Sequence, residues 1–419
     1  MKKESGPRAF GRRLRRHSLI LVAALGGAAG VAYATARRAG SSGPRPAATV
    51  AGWSIAGAVR PDPLVAAEPP RDTVLDTVQI ALLLDTSSSM DGLINQARSQ
   101  LWTMVDQMGK MTRVVDGKTR GVRIELALFE YGNARLAASE GYIRQVLPLT
   151  TDLDRVSEQL NSLFTNGGDE FVGQVITRAV TSLAWSKDPA AMKFVFVAGN
   201  EEFDQGPVTA AAAMKAAAGA DIHVQLIYCG PEDPTWKAAA TLASSDLMTI
   251  DQNVVAQAIA APQDDEILQL GNQLNSTYLA YGSGGAAASA RQSGADADSA
   301  KLSKKVALER SQLKAKPSYR NESWDVVDAV ARDGAFLDKA KDDDLPAELR
   351  GKTLAERQAL VAAKAAARAE LQAKLARLAA ERTAFLAEQA KQAAPAAPSL
   401  ETELMKSTKK VAAKKGYKF

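Results

Sequence analysis

Three oxygen-bearing side chains stand at alternate positions in the stretch VQIALLLDTSSSMD, residues 78–91: Asp85, Ser87 and Ser89. Alternate residues of a tight loop can turn their side chains toward one point, and a carboxylate with two hydroxyls makes a set of hard donors. Such a set suits Mg²⁺ or Mn²⁺, with Ca²⁺ as a further candidate, better than it suits Zn²⁺. A D-x-S-x-S match in a serine-rich turn can be accidental, so its weight comes from its surroundings. Here an apolar run ends abruptly at Asp85 and an amphipathic stretch begins at Asp91.

The apolar run reads as a buried parallel strand. Asp85 then lies at its carboxyl end, where open α/β sheets place their ligands. Strand patterns fall in all at 77–85, 121–130, 142–147, 193–198, 221–229 and 247–250, and helical patterns at 91–108, 152–163, 171–185, 207–218, 233–243 and 264–280. Alternation of this kind predicts a mostly parallel six-stranded sheet with helices on both faces, and the turn-like GNARLAASEG before residue 142 predicts an antiparallel edge.

With the strand, the loop and the following helix in place, Asp85-Thr86-Ser87-Ser88-Ser89 resembles the metal-ion-dependent adhesion site of von Willebrand factor type A domains. The resemblance spans about residues 75–281 and implies a Rossmann-like α/β fold that binds Mg²⁺ or a similar ion at the top of the sheet. In that family a third loop supplies Thr just after a Gly pair. Here Gly167-Gly168 precede Asp169, which occupies the place by spacing, while Thr165 stands two residues before the pair. Asp169 is equally placed to cap the helix expected from Phe171. The family's fourth loop usually carries Asp after its strand, whereas this chain reads Ala198-Gly199-Asn200-Glu201, leaving Gly199 or Asn200 in that position. If Asp169 ligates, the site keeps two negative charges with one moved between loops; if Thr165 does, Asp85 is the sole carboxylate unless Glu201 reaches inward. The implied ligand set is thus Asp85, Ser87, Ser89, Asp169 or Thr165, and Asn200. The phrases TNGGDE, VFVAGNEEFDQGP, NESWDVVDA and LPAEL are also similar to exported bacterial proteins in which such a domain precedes a helical region.

Composition narrows the chemistry. The chain has two histidines, His17 and His223, and one cysteine, Cys229. Zinc sites and His-dependent nucleophilic triads would all have to draw on His223, which sits in an apolar-alternating segment. No phosphate-cradling glycine motif follows any strand, and the second Asp of a haloacid-dehalogenase-type phosphotransferase is replaced by Ser87. The expectation is therefore a binding module and not an enzyme. Although the formal charge is +5, residues 1–36 hold seven Lys or Arg against one acid, so the remainder is near neutral and lacks the basic footprint of a nucleic-acid binder.

Arg12, Arg13, Arg15 and Arg16 precede an apolar run from Leu19 to Val31, and Ala32-Tyr33-Ala34 and Ala34-Thr35-Ala36 offer small-residue cleavage sites. This is the layout of a signal peptide or, with Arg37 and Arg38 beyond, of an uncleaved membrane anchor over residues 1–36. It implies export to the periplasm, cell envelope or exterior, and a lone Cys229 there forms no internal disulfide. Residues 37–74 read as a linker, 282–300 as a flexible low-complexity boundary, 301–394 as a helical region and 395–419 as a solvated basic tail. Thr353 and Glu356 form a capping box ahead of a long helix in which Leu371, Leu375, Leu378 and Phe385 keep a coiled-coil-like seam interrupted by Arg382. Two functions follow: capture of a partner protein's exposed carboxylate at a divalent cation, or a metal-independent envelope scaffold acting through the C-terminal helices.

Overall fold

A computed structural model describes residues 75–251, 259–391 and 400–419. The segments read as signal or anchor and as linker, residues 1–74, lie outside the described residues. Strand β1 (Asp76–Asp85) is followed by α1 (Asp91–Gly109), a hairpin of β2 (Thr112–Val115) and β3 (Lys118–Arg120), and then β4 (Val122–Tyr131) and β5 (Ile143–Thr150). Next come α2 (Leu153–Ser162), α3 (Val172–Ser182), β6 (Met192–Gly199), α4 (Ala210–Gly219), β7 (His223–Tyr228), α5 (Pro234–Leu242), β8 (Leu247–Thr249) and α6 (Asp264–Leu274). The remaining elements are α7 (Gly285–Leu302), α8 (Lys304–Lys314), α9 (Val326–Arg332), α10 (Phe336–Lys339), α11 (Leu354–Ala390), α12 (Leu400–Lys414) and β9 (Tyr417–Lys418).

The main sheet has six strands in the order β5-β4-β1-β6-β7-β8. All its pairs are parallel except the edge pair of β4 with β5, as the sequence pattern implies. Side chains alternate across β1: Ile80, Leu82 and Leu84 join one core layer with Leu93, Leu101 and Trp102 of α1, whereas Ala81 and Leu83 join the other with Val175 and Ile176 of α3. Apolar residues on both faces explain why the strand reads as a continuous hydrophobic run. Asp152 caps α2 by accepting from Arg155 N at 3.0 Å, and Asp233 caps α5 ahead of Pro234 at its first turn.

Of the C-terminal helices, α7, α8 and α12 share a core with the sheet domain. Residues 282–300, expected as a flexible boundary, instead hold most of α7. Its composition misleads because Ala is the strongest helix former, and its small residues recur at helical spacing. Ala288, Gln292, Ala295 and Ser299 form its buried face, and Trp102 Nε1 donates to Ser299 Oγ at 2.9 Å. The tail expected to be solvated is also corrected. Leu400, Leu404, Met405, Val411 and Ala412 are buried within the core layer that covers α1, and β9 pairs with β2 through Tyr417 and Arg113. In α11, Leu375 and Leu378 pack with Ile267, Leu270 and Leu274 of α6. Arg382, which interrupts the seam, donates from Nε to Asp264 Oδ1 at 2.8 Å. The leucines of that seam are packed within the chain. Among the described residues no helix is long and apolar enough to cross a membrane.

Candidate metal centre

Asp85 ends β1 and is fully buried, while Ser88 and Ser89 above it are exposed. Ser87 N donates to Asp85 Oδ1 at 2.7 Å, closing a turn that folds the loop back over the carboxylate. The hydroxyls of Ser87 and Ser89 then stand 3.4 Å apart. Asn200, just beyond β6, donates from Nδ2 to Ser89 Oγ at 2.9 Å, and its backbone oxygen accepts from Tyr228 Oη at 2.8 Å. Four of the expected residues, Asp85, Ser87, Ser89 and Asn200, thus converge at one end of the sheet.

The third loop arrives in a different register from the expected one. Asn166 N donates to Thr86 O at 2.9 Å, which fastens the loop to the serine turn. A Cβ at Gly168 would lie 2.7 Å from Gly132 O and from Ala134 N, so only glycine fits this crossing. Thr165 is committed elsewhere, its Oγ1 donating to Asp91 Oδ1 at 2.6 Å. Asp169 is exposed, and it does not cap a helix, since α3 begins at Val172 with Phe171 at the cap position. Its neighbour Glu170 is the residue turned into the site: it is 4% exposed, and its backbone N–H donates to Gln205 Oε1 at 3.2 Å. A Cβ at Gly132, where φ is +77°, would lie 2.8 Å from Asp85 Oδ1 and 2.9 Å from Glu170 Cγ, so the two acids meet over a glycine. The spacing of the Gly pair located the loop, and the acid buried there is Glu170, one residue beyond Asp169. The signal that distinguishes them is the packing of Gly168 on Gly132, which a sequence does not display.

At the fourth loop, β6 ends in Gly199. A side chain here would collide with the Tyr131 hydroxyl, which donates to Ala198 O at 2.9 Å, and its Cβ would be 3.4 Å from Asp85 Oδ2. Glu201 is exposed, and its charge adds to the negative potential on both buried acids.

Burial drives the Asp85 carboxyl above the usual carboxylate range. Burial, and after it the neighbouring Asp85 charge, raises Glu170 as well. Asp85 Oδ2 and Glu170 Oε2 are buried and find no hydrogen-bond donor. Two buried, unpartnered carboxylate oxygens beside exposed hydroxyls are an arrangement that a divalent cation would satisfy, so the residues fit the ion that the serine motif implies. Among the described residues no three His, Cys, Asp or Glu side chains form a metal-ligating cluster, so the hydroxyls are needed to complete a shell. Cys229 is buried close enough to feel the Asp85 charge, and burial pushes its thiol up, away from reactivity. His223 opens β7, whereas Tyr228 at that strand's other end faces Asn200. The histidine is therefore at the far end of the sheet from the serine loop.

Residues 79–259 match the sequence pattern of the von Willebrand factor type A domain. No curated protein matches the chain. Solved structures similar to it include proximal thread matrix protein 1 from the mussel byssus, at 13% identity and a TM-score of 0.32, over 42% of this chain and 41% of that one. One structure of that mussel protein has a zinc-occupied MIDAS motif. An aerotolerance-related membrane protein from Bacteroides fragilis is similar at 16% identity and a TM-score of 0.31, over 42% of this chain and 93% of that one. The SpRpn10 VWA domain is similar at 14% identity and a TM-score of 0.31, over 45% of this chain and 100% of that one. This chain spans about two fifths of the mussel protein's length. The matched segment holds the whole serine turn, most of the strand that ends in Asp85 and both loops that face it, so residues 79–259 form a von Willebrand factor type A domain.

Proposed function

We propose that the chain is an exported interaction module that binds a divalent cation, Mg²⁺ or Mn²⁺ before Ca²⁺, at the rim formed by Asp85, Ser87, Ser89 and Asn200. A partner protein would complete the shell with an Asp or Glu side chain. The observation that carries this reading is the unpartnered Oδ2 of Asp85, fully buried beneath two exposed serines. A cation seated there would lie within reach of solvent, so one coordination position remains for an incoming carboxylate. Domains of this family are generally non-enzymatic interaction modules, and in this reading the ion engages Asp85 while His223, the usual kind of general base, lies at the far end of the sheet. The assignment to an exported class rests on the Arg-flanked apolar run before residue 37.

The rival reading, an envelope scaffold acting through the C-terminal helices, draws on the exposed face of α11. It is weakened by α7, α8 and α12, which spend their apolar faces on the sheet domain. Capture of partners from envelope extract by the full chain separates the two. Retention that vanishes with EDTA, returns with Mn²⁺ and is absent in Asp85→Ala supports the cation-dependent module. Retention unchanged by EDTA and by Asp85→Ala overturns it.

A further inference from the structure

We infer that Glu170 carries the second negative charge of the cation site, in place of any residue at the end of β6. This rests on the cation reading above and adds a ligand to it. The Glu170 and Asp85 side chains meet beside Gly132, where a Cβ would lie 2.9 Å from Glu170 Cγ, 2.8 Å from Asp85 Oδ1 and 3.6 Å from Ser87 Cβ. Glu170 Oε2 is buried and has no donor, as is Asp85 Oδ2. Two facing acids at 0% and 4% exposure would be costly unless something positive stands between them, and no Lys or Arg pairs with either among the described residues. Position 199, whose Cβ would also be within reach of Asp85, is closed to a carboxylate: it is glycine, and Tyr131 Oη fills the space a side chain would enter. The third loop delivers the acid because Gly168 crosses against Gly132 and Gln205 holds the Glu170 N–H, while Asp169 faces solvent.

Calorimetric titration of the full chain with Mn²⁺ alone tests this. Glu170→Gln keeps the volume and removes the charge, and should weaken Mn²⁺ binding roughly 10- to 100-fold, the range typical of disturbing a metal site's supporting groups. Asp169→Asn should bind like the wild type. The triple variant Glu170→Gln, Tyr131→Phe, Gly199→Asp returns a carboxylate through the space the hydroxyl vacated, and should recover much of the lost affinity. Melting in EDTA checks folding, and Glu170→Ala, which removes the carboxylate without adding a new polar group, serves if the Gln variant is not folded. Wild-type affinity in either folded Glu170 variant overturns the inference, as does an equal loss in Asp169→Asn. If Asp85→Ala binds Mn²⁺ as the wild type does, or the wild type binds none, the cation reading itself fails and takes this inference with it.

Discussion

Arg310 of α8 reaches Asp154 of α2 with Nη1 at 2.6 Å from Oδ1, and both side chains are almost wholly buried. Arg310 Nε also donates to Asp296 Oδ1 at 2.8 Å, and the guanidinium lies over the rings of Trp102 and Tyr319. One residue of the C-terminal region thus ties two helices to each other and to α1. Truncating a buried ion pair on one side strands the other charge, which costs about 3–5 kcal/mol. Arg310→Ala should lower unfolding free energy by that amount in urea titration, and because α7, α8 and α12 share the sheet's core, it should do so in a single transition. A loss under about 1 kcal/mol would mean that Asp154 and Asp296 find other partners or neutralise.

The same cluster makes stability depend on acid. Burial alone would raise Asp296, but Arg310 and Lys314 outweigh it and hold the carboxyl below its ordinary 3.8. Lys314 itself is brought down to about 8 by burial despite Asp296, so the permanently charged Arg310 is the more dependable partner at higher pH. A depressed carboxylate contributes stability that is fully present above its unfolded value and is lost as pH falls through the folded one. Urea midpoints measured downward from pH 5 should therefore fall more steeply for the wild type than for Asp296→Asn. Parallel slopes in the two proteins would contradict the ion pairing.

Most of the sheet was legible in the sequence because a buried parallel strand is a run of apolar residues with a sharp end, and Asp85 marks that end for β1. What misled was composition and register. The Gly, Ala and Ser of α7 resemble a linker unless the recurrence of small residues at 285, 288, 295 and 299 is weighed as a packed face. The basic tail hides an apolar stripe from Leu400 to Ala412 among its lysines. Asp116-Gly117, with φ of +50° and +74°, forms the tight turn of the β2–β3 hairpin, and this dipeptide is a signal that local reading can use. Glu170 is of another kind, because its inward direction is set by two glycines from different loops and no local spacing encodes it.

That crossing gives a test of how the site is built. Gly168→Ala places a Cβ 2.7 Å from two backbone atoms of the neighbouring loop, so backbone must shift. Overpacking of this sort costs about 1–3 kcal/mol. Mn²⁺ binding should weaken in Gly168→Ala although no ligand is altered, and Gly167→Ala should be milder, since its Cβ would meet only Ser88 Oγ at 3.3 Å. Equal affinities in both variants would show that the third loop does not set the ion's position.

The rim offers a way to separate ion binding from partner binding. Phe164 is 49% exposed, two residues before the Asn166 that fastens the third loop to Thr86, and its ring lies under Arg135 with 4.6 Å from guanidinium carbon to centroid. A large apolar side chain held at the edge of a cation site is suited to being covered by whatever supplies the last ligand. Burying such a ring contributes about 1.5–3 kcal/mol. Phe164→Ala should leave Mn²⁺ affinity in calorimetry unchanged while weakening retention of the partner from envelope extract, whereas Asp85→Ala removes both. Partner retention that survives Phe164→Ala at full strength would place the contact elsewhere on the rim, toward Glu201 and the end of β6.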